Sequence, residues 1–360
     1  MTRLLGIALT FLGSALLSLL VGTGDAHAEY PGPNGQIAFG RLDRAIDGHH
    51  VFTADPDGTH ERRLLPGDAE SPFWSPDGSR VLVTLPRAHA PLRPATLNPD
   101  GSGFRLLDNP APMDIACSAW SPDGIRLLCQ GHSEQHPDLN GIYTARASDG
   151  GGLLRLTDNP FDEAETAGDY SPDGARIVFT RQRLSHGDPK GALFVANADG
   201  TGLRQITPYG VPDPDEVAKW SPDGTEILFG SATEKLVTVH PDGTGVREIS
   251  PRTLGKEGIK KLERKLLKRC RKKGGKKCRT KAAKRANTRT TGIGFDPGWS
   301  PDGKRIVFSH RFRPDGRVDI YTARSDGTHL VQITDTRAFE TFSDWGPHPV
   351  ARSGRYARAR

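Results

Sequence analysis

One pentapeptide limits what this chain can fold into. Trp-Ser-Pro-Asp-Gly stands at Trp74–Gly78, Trp120–Gly124, Trp220–Gly224 and Trp299–Gly303, and Tyr replaces Trp at Tyr170–Gly174. Ser, Pro and Gly at the first, second and fourth places of the turn suit a type I turn. Taken as a three-residue hairpin loop, Pro-Asp-Gly puts its glycine in the left-handed region, where a Cβ is costly. A short β-rich run follows each turn: Arg80–Val83, Arg126–Cys129, Arg176–Phe179, Glu226–Phe229 and Arg305–Phe308. Later in each unit a strand ends in Asp-Gly, at Gly58, Gly101, Gly150, Gly200, Gly243 and Gly327. A further short strand follows, as in Leu203–Thr207 and Leu330–Thr334.

Each unit therefore predicts four strands joined by two tight hairpins. A period of about 50 residues with four strands per unit is the signature of propeller blades. The last period is longer because it contains a basic insert at 252–289. The ends complete the count. Pro33-Asn34-Gly35 followed by Gln36–Phe39 reads as a degenerate turn and second strand, and Phe342–Gly346 as a first strand with no second. Pairing the two halves closes the ring and leaves no sheet edge exposed. The expected fold is all-β: a six-bladed β-propeller over 29–349 with a shared closing blade, plus a basic α-helical hairpin insertion. A seventh blade would need another Ser-Pro-Asp-Gly unit, and the sequence has none beyond these five.

These motifs resemble the WD40-like (PD40) repeats of the TolB-like β-propeller family. The resemblance covers nearly the whole chain outside the insert and the tail. TolB carries an α/β domain ahead of its propeller, whereas here only a few residues separate Glu29 from the first strand. The resemblance therefore implies the propeller alone; the function expected is an exported, non-enzymatic binding or scaffold protein of the cell envelope.

The N-terminus predicts export. Arg3 precedes an apolar run from Leu4 to Val21, and Ala26-His27-Ala28 is a small-x-small cleavage site, so 1–28 reads as a signal peptide. The formal charge of +6 is a sum of segregated parts. The insert at 252–289 holds 18 Lys/Arg against 2 Asp/Glu, and the basic tail at 350–360, expected to be disordered, adds 4 Arg. The remainder is net acidic. Such segregation speaks to partners rather than to fold.

Four cysteines in an exported chain suggest two disulfides. With Pro122–Gly124 as the hairpin loop, Cys117 falls directly opposite Cys129. In the insert, Ile259, Leu262, Leu266 and Cys270 follow helical spacing. Gly274-Gly275 breaks it, and Cys278, Ala282 and Ala286 resume it. A Cys270–Cys278 bridge would staple this hairpin. Its cations are Lys260, Lys261, Arg264, Lys265, Lys268, Arg269, Arg271, Lys272, Lys273, Lys276, Lys277 and Arg279. They suit an anionic cell-wall polymer, anionic lipid or acidic glycan before nucleic acid.

Function should concentrate in the irregular loops rather than in the regular turns. The second-to-third-strand loops are expected to offer Arg87 and His89; His132 and His136; Arg181, Arg183 and His186; and His310, Arg311 and Arg313. The blade-to-blade connections should offer Glu70, Glu165, Glu216 and Glu340. Such a mixed-charge ring suits an envelope protein, a peptide or a polar saccharide. Convergence of His132, His186 and His310 on the channel is the metal-binding alternative, but His132 and His136 lie beside Pro137 and lack the Glu of a zincin helix. No catalytic residue, cofactor or metal is assigned, and a monomer is expected. No Gly-x-Ser-x-Gly elbow is present, which argues against a prolyl-peptidase-like hydrolase. The enzymatic alternative is a lyase or hydrolase of acidic polysaccharide, in which clustered His and Arg neutralise a uronate and abstract a proton. The resembling oligogalacturonate lyases have seven blades, which counts against it.

Overall fold

The computed structural model describes residues 33–43, 48–86, 91–108, 112–159, 163–184, 189–214, 217–249, 251, 294–311 and 318–348. Their strands are β1 (Asn34–Asp43), β2 (Gly48–Ala54) and β3 (Arg62–Arg63), followed by β4 (Glu70–Trp74), β5 (Val81–Leu85), β6 (Arg93–Leu97) and β7 (Arg105–Leu106). Next come β8 (Asp114–Trp120), β9 (Arg126–His132), β10 (Gly141–Arg146) and β11 (Leu154–Arg155), then β12 (Glu163–Tyr170), β13 (Arg176–Arg183), β14 (Lys190–Asn197) and β15 (Arg204–Gln205). The last are β16 (Lys219–Trp220), β17 (Ile227–Gly230), β18 (Leu236–Val239), β19 (Arg247–Ile249), β20 (Gly294–Trp299), β21 (Arg305–His310), β22 (Asp319–Arg324), β23 (Val331–Gln332) and β24 (Phe339–Pro347).

They form six antiparallel four-stranded sheets. Blades 1 to 5 are consecutive quartets beginning at β4, β8, β12, β16 and β20. Blade 6 has the order β24-β1-β2-β3, so the two halves expected from the chain ends do pair. The opening strands of neighbouring blades contact one another, which places them innermost around a central channel.

The core is six seams rather than one cluster, each filled from two adjacent blades. Val178, Leu193 and Val195 of blade 3, for example, meet Trp220, Ile227 and Phe229 of blade 4. The repeat aromatics Trp74, Trp120, Tyr170, Trp220, Trp299 and Trp345 are all buried in these seams. This assigns a role to each part of the pentapeptide. The aromatic fills a seam, and the serine hydroxyl donates to the aspartate, as in Ser221 Oγ to Asp223 Oδ1 at 2.6 Å. The glycine closes the turn, as in Gly224 N to Ser221 O at 2.8 Å.

The Asp-Gly turns stitch blade to blade. Gly101 and Gly200 have φ of +82° and +87°, and a Cβ on either would strike a main-chain carbonyl of the preceding blade, that of Leu64 or Leu156. Glycine is thus needed there for conformation and for close approach together.

Cys117 and Cys129 form a disulfide with an S–S distance of 2.02 Å. The pair is the expected one, but the register leading to it is not. Trp120 pairs with Leu127 and Ala119 with Leu128, so the loop is one residue longer than Pro-Asp-Gly; an irregularity between Cys117 and Ala119 then restores the match. The longer loop arises because Ser121 and Arg126 close it, with Ser121 N donating to Arg126 O at 2.8 Å.

Among the described residues there is no α-helix, only a 3-10 turn at Pro137–Leu139. The helical hairpin expected at 252–289, its Cys270–Cys278 bridge and its cations lie outside the described residues, as do the leader at 1–28 and the tail at 350–360.

Candidate functional site

Two faces follow from the topology. The Ser-Pro-Asp-Gly and Asp-Gly hairpins lie on one, and the second-to-third-strand loops and blade crossovers on the other. Neighbouring turns on the regular face touch: a Cβ on Gly224 would meet Pro172 Cδ at 3.6 Å, and one on Gly174 would meet Pro122 Cδ at 3.6 Å. Their aspartates are bound into the turns. Hydrogen bonds from Thr201 hold the Asp199 carboxyl below the usual carboxylate range, and Thr244 does the same for Asp242.

The channel carries a charged set that sequence reasoning did not find. Asp169, Lys219 and Asp344 each precede the repeat aromatic of an inner strand and line one cavity with Phe73 and Ala119. All three are buried. Asp169 accepts Tyr170 N at 3.0 Å and, from the next blade, Trp220 N at 3.2 Å. Asp344 accepts Trp74 N at 2.7 Å. Lys219 reaches to blade 2, donating to Ser118 O at 2.7 Å, with its Nζ 4.3 Å from the Phe73 ring centroid. Burial pushes the Asp169 carboxyl up to about 6 against the opposing pull of Lys219, and burial raises Asp344 likewise. The signal available in the sequence was a charged residue at a repeat position held elsewhere by Phe73, Ala119 and Gly298.

On the irregular face several expected ligand residues prove to be internal. Arg181 and Glu165 lie on β13 and β12, not in loops, and are buried together at 2.6 Å. The Glu165 carboxylate accepts from Thr157 Oγ1 of the preceding blade at 2.5 Å, and the Arg181 guanidinium sits 4.7 Å from the Phe194 ring. Blade 6 repeats the arrangement. Arg41 meets the fully buried Glu340 at 2.6 Å and lies 4.1 Å from the Phe52 ring, and Thr334 Oγ1 donates to Glu340. Burial raises the Glu340 carboxyl and Arg41 opposes it. Each relay satisfies a buried charge inside a seam. These residues tie blades together and are not open to a ligand.

His310 is likewise not a loop residue. It ends β21, fully buried, edge-on to Phe308 and Tyr321, and burial alone lowers its pKa to about 3. It does not meet His132, which is exposed in blade 2 with His136. Among the described residues no group of three His, Cys, Asp or Glu is arranged to hold a metal.

The groups left at the surface are scattered. Arg183 lies 3.8 Å from the Tyr209 ring and pairs with Glu163 at 3.1 Å. Tyr209 donates to the same carboxylate at 2.9 Å. Arg311 pairs with Glu234 of blade 4 at 3.4 Å. Glu70 is half-buried, 3.4 Å from His49, and burial raises its pKa. Arg87, His89, His186, Glu216 and Arg313 lie outside the described residues.

No family model matches the sequence, and no curated protein matches it. Solved structures do match in shape. TolB from Acinetobacter baumannii has a TM-score of 0.58 at 16% identity, over 87% of this chain and 67% of that one. A protein assigned as TolB from Agrobacterium tumefaciens has a TM-score of 0.54 at 17% identity, over 88% of this chain and 100% of that one. The fold is that of the TolB-like propellers. It is not confined to them: hydrazine synthase from Kuenenia stuttgartiensis reaches a TM-score of 0.60 at 15% identity, over 88% of this chain and 47% of that one. At these identities the TolB-like frame describes architecture and leaves activity to the site itself.

Proposed function

We propose that this chain is an exported binding or scaffold propeller of the cell envelope, engaging a peptide, a protein or a saccharide at its irregular face. One observation carries the reading. Among the described residues, the strongest charges of that face are consumed in the paired relays of blades 3 and 6, and the surface groups His132, Arg183 and Arg311 stand on three different blades. Acid–base catalysis needs a proton donor and acceptor converging within hydrogen-bond reach of one substrate atom. A spread of separate polar anchors suits recognition. The TolB-like frame supports an envelope role, and the N-terminal apolar run and the Cys117–Cys129 disulfide support export. The basic insert supplies a second contact, with an anionic envelope polymer or lipid.

The test is an array of peptides and glycans probed with the mature protein, with and without 252–289, alongside salt-dependent retention on isolated envelopes. Binding at the irregular face, and weaker retention without the insert, are expected. Turnover of an acidic polysaccharide would replace the binding reading, and unchanged retention would remove the role of the insert.

A further inference from the structure

A groove on the regular face, between blades 4 and 5, lacks an arginine that the repeat supplies elsewhere. Six residues after the pentapeptide aromatic stand Arg80, Arg126, Arg176 and Arg305, but Glu226 in blade 4. The register of blade 6 puts Gln36 there. In blade 3 this arginine covers the aromatic of the next blade, with the Arg176 guanidinium 4.7 Å from the Trp220 ring. Blade 4 offers Trp299 no such cover, because a glutamate is shorter and carries the opposite charge. Glu226 instead accepts from Thr238 Oγ1 and pairs with Arg247 of β19, both at 3.1 Å. Trp299 is the least covered of the six repeat aromatics, 8% exposed against 1–5% for the others. Above it lies a groove of about 420 Å³, lined among others by Pro222, Pro301, Asp223, Glu226 and Asp302.

The chemistry narrows the occupant. Asp223 commits Oδ1 to its own turn, accepting Ser221 Oγ, Thr225 N and Thr225 Oγ1, and its Oδ2 has no partner among the described residues. Asp302 Oδ2 has only Lys304 Nζ, 3.8 Å away on an exposed side chain. An aromatic wall beside carboxylate acceptors suits a guanidinium, whose plane stacks on the ring while its N–H groups reach the acids; an ammonium has no plane to stack. The chain carries such a cation within reach. β24 ends on the regular face, where His348 N donates to Pro33 O at 2.9 Å. The adjoining Asn34 Oδ1 accepts Asp302 N at 3.2 Å, so the chain leaves the ring beside one wall of the groove. The next twelve residues, 349–360, hold Arg352, Arg355, Arg358 and Arg360 and no acid. Extended, they span about 40 Å. The other basic segment, 252–289, belongs to the crossover from β19 to β20 and so leaves from the opposite face.

We propose that the groove between blades 4 and 5 is a guanidinium site and that an arginine of 349–360 occupies it, taking over Trp299 the place that Arg176 takes over Trp220. The contact is intramolecular and lies on the regular face, apart from the irregular face and the binding role proposed for it.

The test compares the mature protein with a form ending at His348, by calorimetric titration with a synthetic 349–360 peptide and by the indole 15N–1H resonance of Trp299. The truncated form should bind the peptide and shift that resonance. The full-length protein, its groove already filled, should bind it about 10-fold more weakly or not at all. Asp223→Asn with Glu226→Gln in the truncated form should weaken binding about 10-fold or more. Thermal transitions should stay unchanged, since asparagine keeps the turn acceptor and the Glu226–Arg247 pair is partly exposed. A peptide with lysines in place of its arginines should bind more weakly. No binding to the truncated form, equal binding to both forms, or equal binding by the double variant overturns the proposal. Equal binding of the lysine peptide does so too, making the groove a general acidic surface. Sedimentation should find the full-length protein monomeric; a dimer lost on truncation would put the segment on a second copy and overturn the intramolecular contact.

Discussion

Arg41 and Glu340 illustrate what a charged residue does inside a seam. Glu340 is fully buried, and Arg41 is its main electrostatic support. Removing one partner of a buried ion pair strands the other, at about 3–5 kcal/mol, whereas replacing both by apolar groups of similar volume is often neutral. Arg41→Met should therefore lower the unfolding free energy by about 3 kcal/mol or more in denaturant melts, and Arg41→Met with Glu340→Leu should regain most of it. Equal losses in the single and double variants would show that the pair is not the cause. Lys219 is the corresponding residue in the channel. Lys219→Met leaves Asp169 and Asp344 without their cation and should raise both carboxyl pKa values further, measured by 13C carboxyl titration; unmoved values would exclude the coupling. Residue-scale reading of the sequence succeeded for the turn and failed for these charges. Ser, Pro, Asp and Gly act through local geometry, which spacing reveals. Arg181, Glu165 and Glu340 act through partners on other strands, and a charge at a strand end looks the same in sequence whether it faces water or a seam.

At the scale of the element, the Asp-Gly turn is where local and long-range demands coincide. Gly200 needs a left-handed φ, and the carbonyl of Leu156 in the preceding blade leaves no space for a Cβ. Gly224 has a φ of +71° but meets only Pro172 at 3.6 Å, an ordinary contact. Both Gly→Ala substitutions pay the conformational cost, about 1 kcal/mol, and Gly200→Ala must also displace a blade. Gly200→Ala should thus be the more destabilising by at least about 1 kcal/mol in thermal or denaturant unfolding; equal effects would show that the close approach relaxes freely. The disulfide gives the same lesson about legibility. The spacing of Cys117 and Cys129 around a tight turn was enough to pair them, but a longer loop and a strand irregularity offset one another on the way. A hairpin sequence reports its turn chemistry well and its strand irregularities poorly, because the latter answer to the neighbouring blade. Ser118, at the irregularity, donates to Gly168 O of blade 3 at 2.9 Å and accepts Lys219.

For the whole molecule, ring closure makes the blades interdependent, so groups buried in one seam or in the channel are expected to report on global stability. Two such groups respond to acid in opposite senses. Asp169 is raised to about 6 from an ordinary 3.8 by burial. As pH falls through this window the folded state takes up the proton before the unfolded chain does, and stability rises. His310 is lowered to about 3 from an ordinary 6.5 by burial. As pH falls through that window the unfolded chain takes up the proton first, and stability falls. The windows overlap between 3.8 and about 6, where the two contributions oppose each other at up to about 1.4 kcal/mol per pH unit each. The turn aspartates such as Asp199 and Asp242 are held below the usual carboxylate range, so their support is lost only at more acidic pH. Asp169→Asn should therefore make stability fall more steeply on acidification from pH 6 to 4, and His310→Phe should make it fall less or rise, each measured against wild type by denaturant unfolding at several pH values. If both variants kept the wild-type slope, neither group would govern the acid response, and the channel charges would be set by surroundings other than burial.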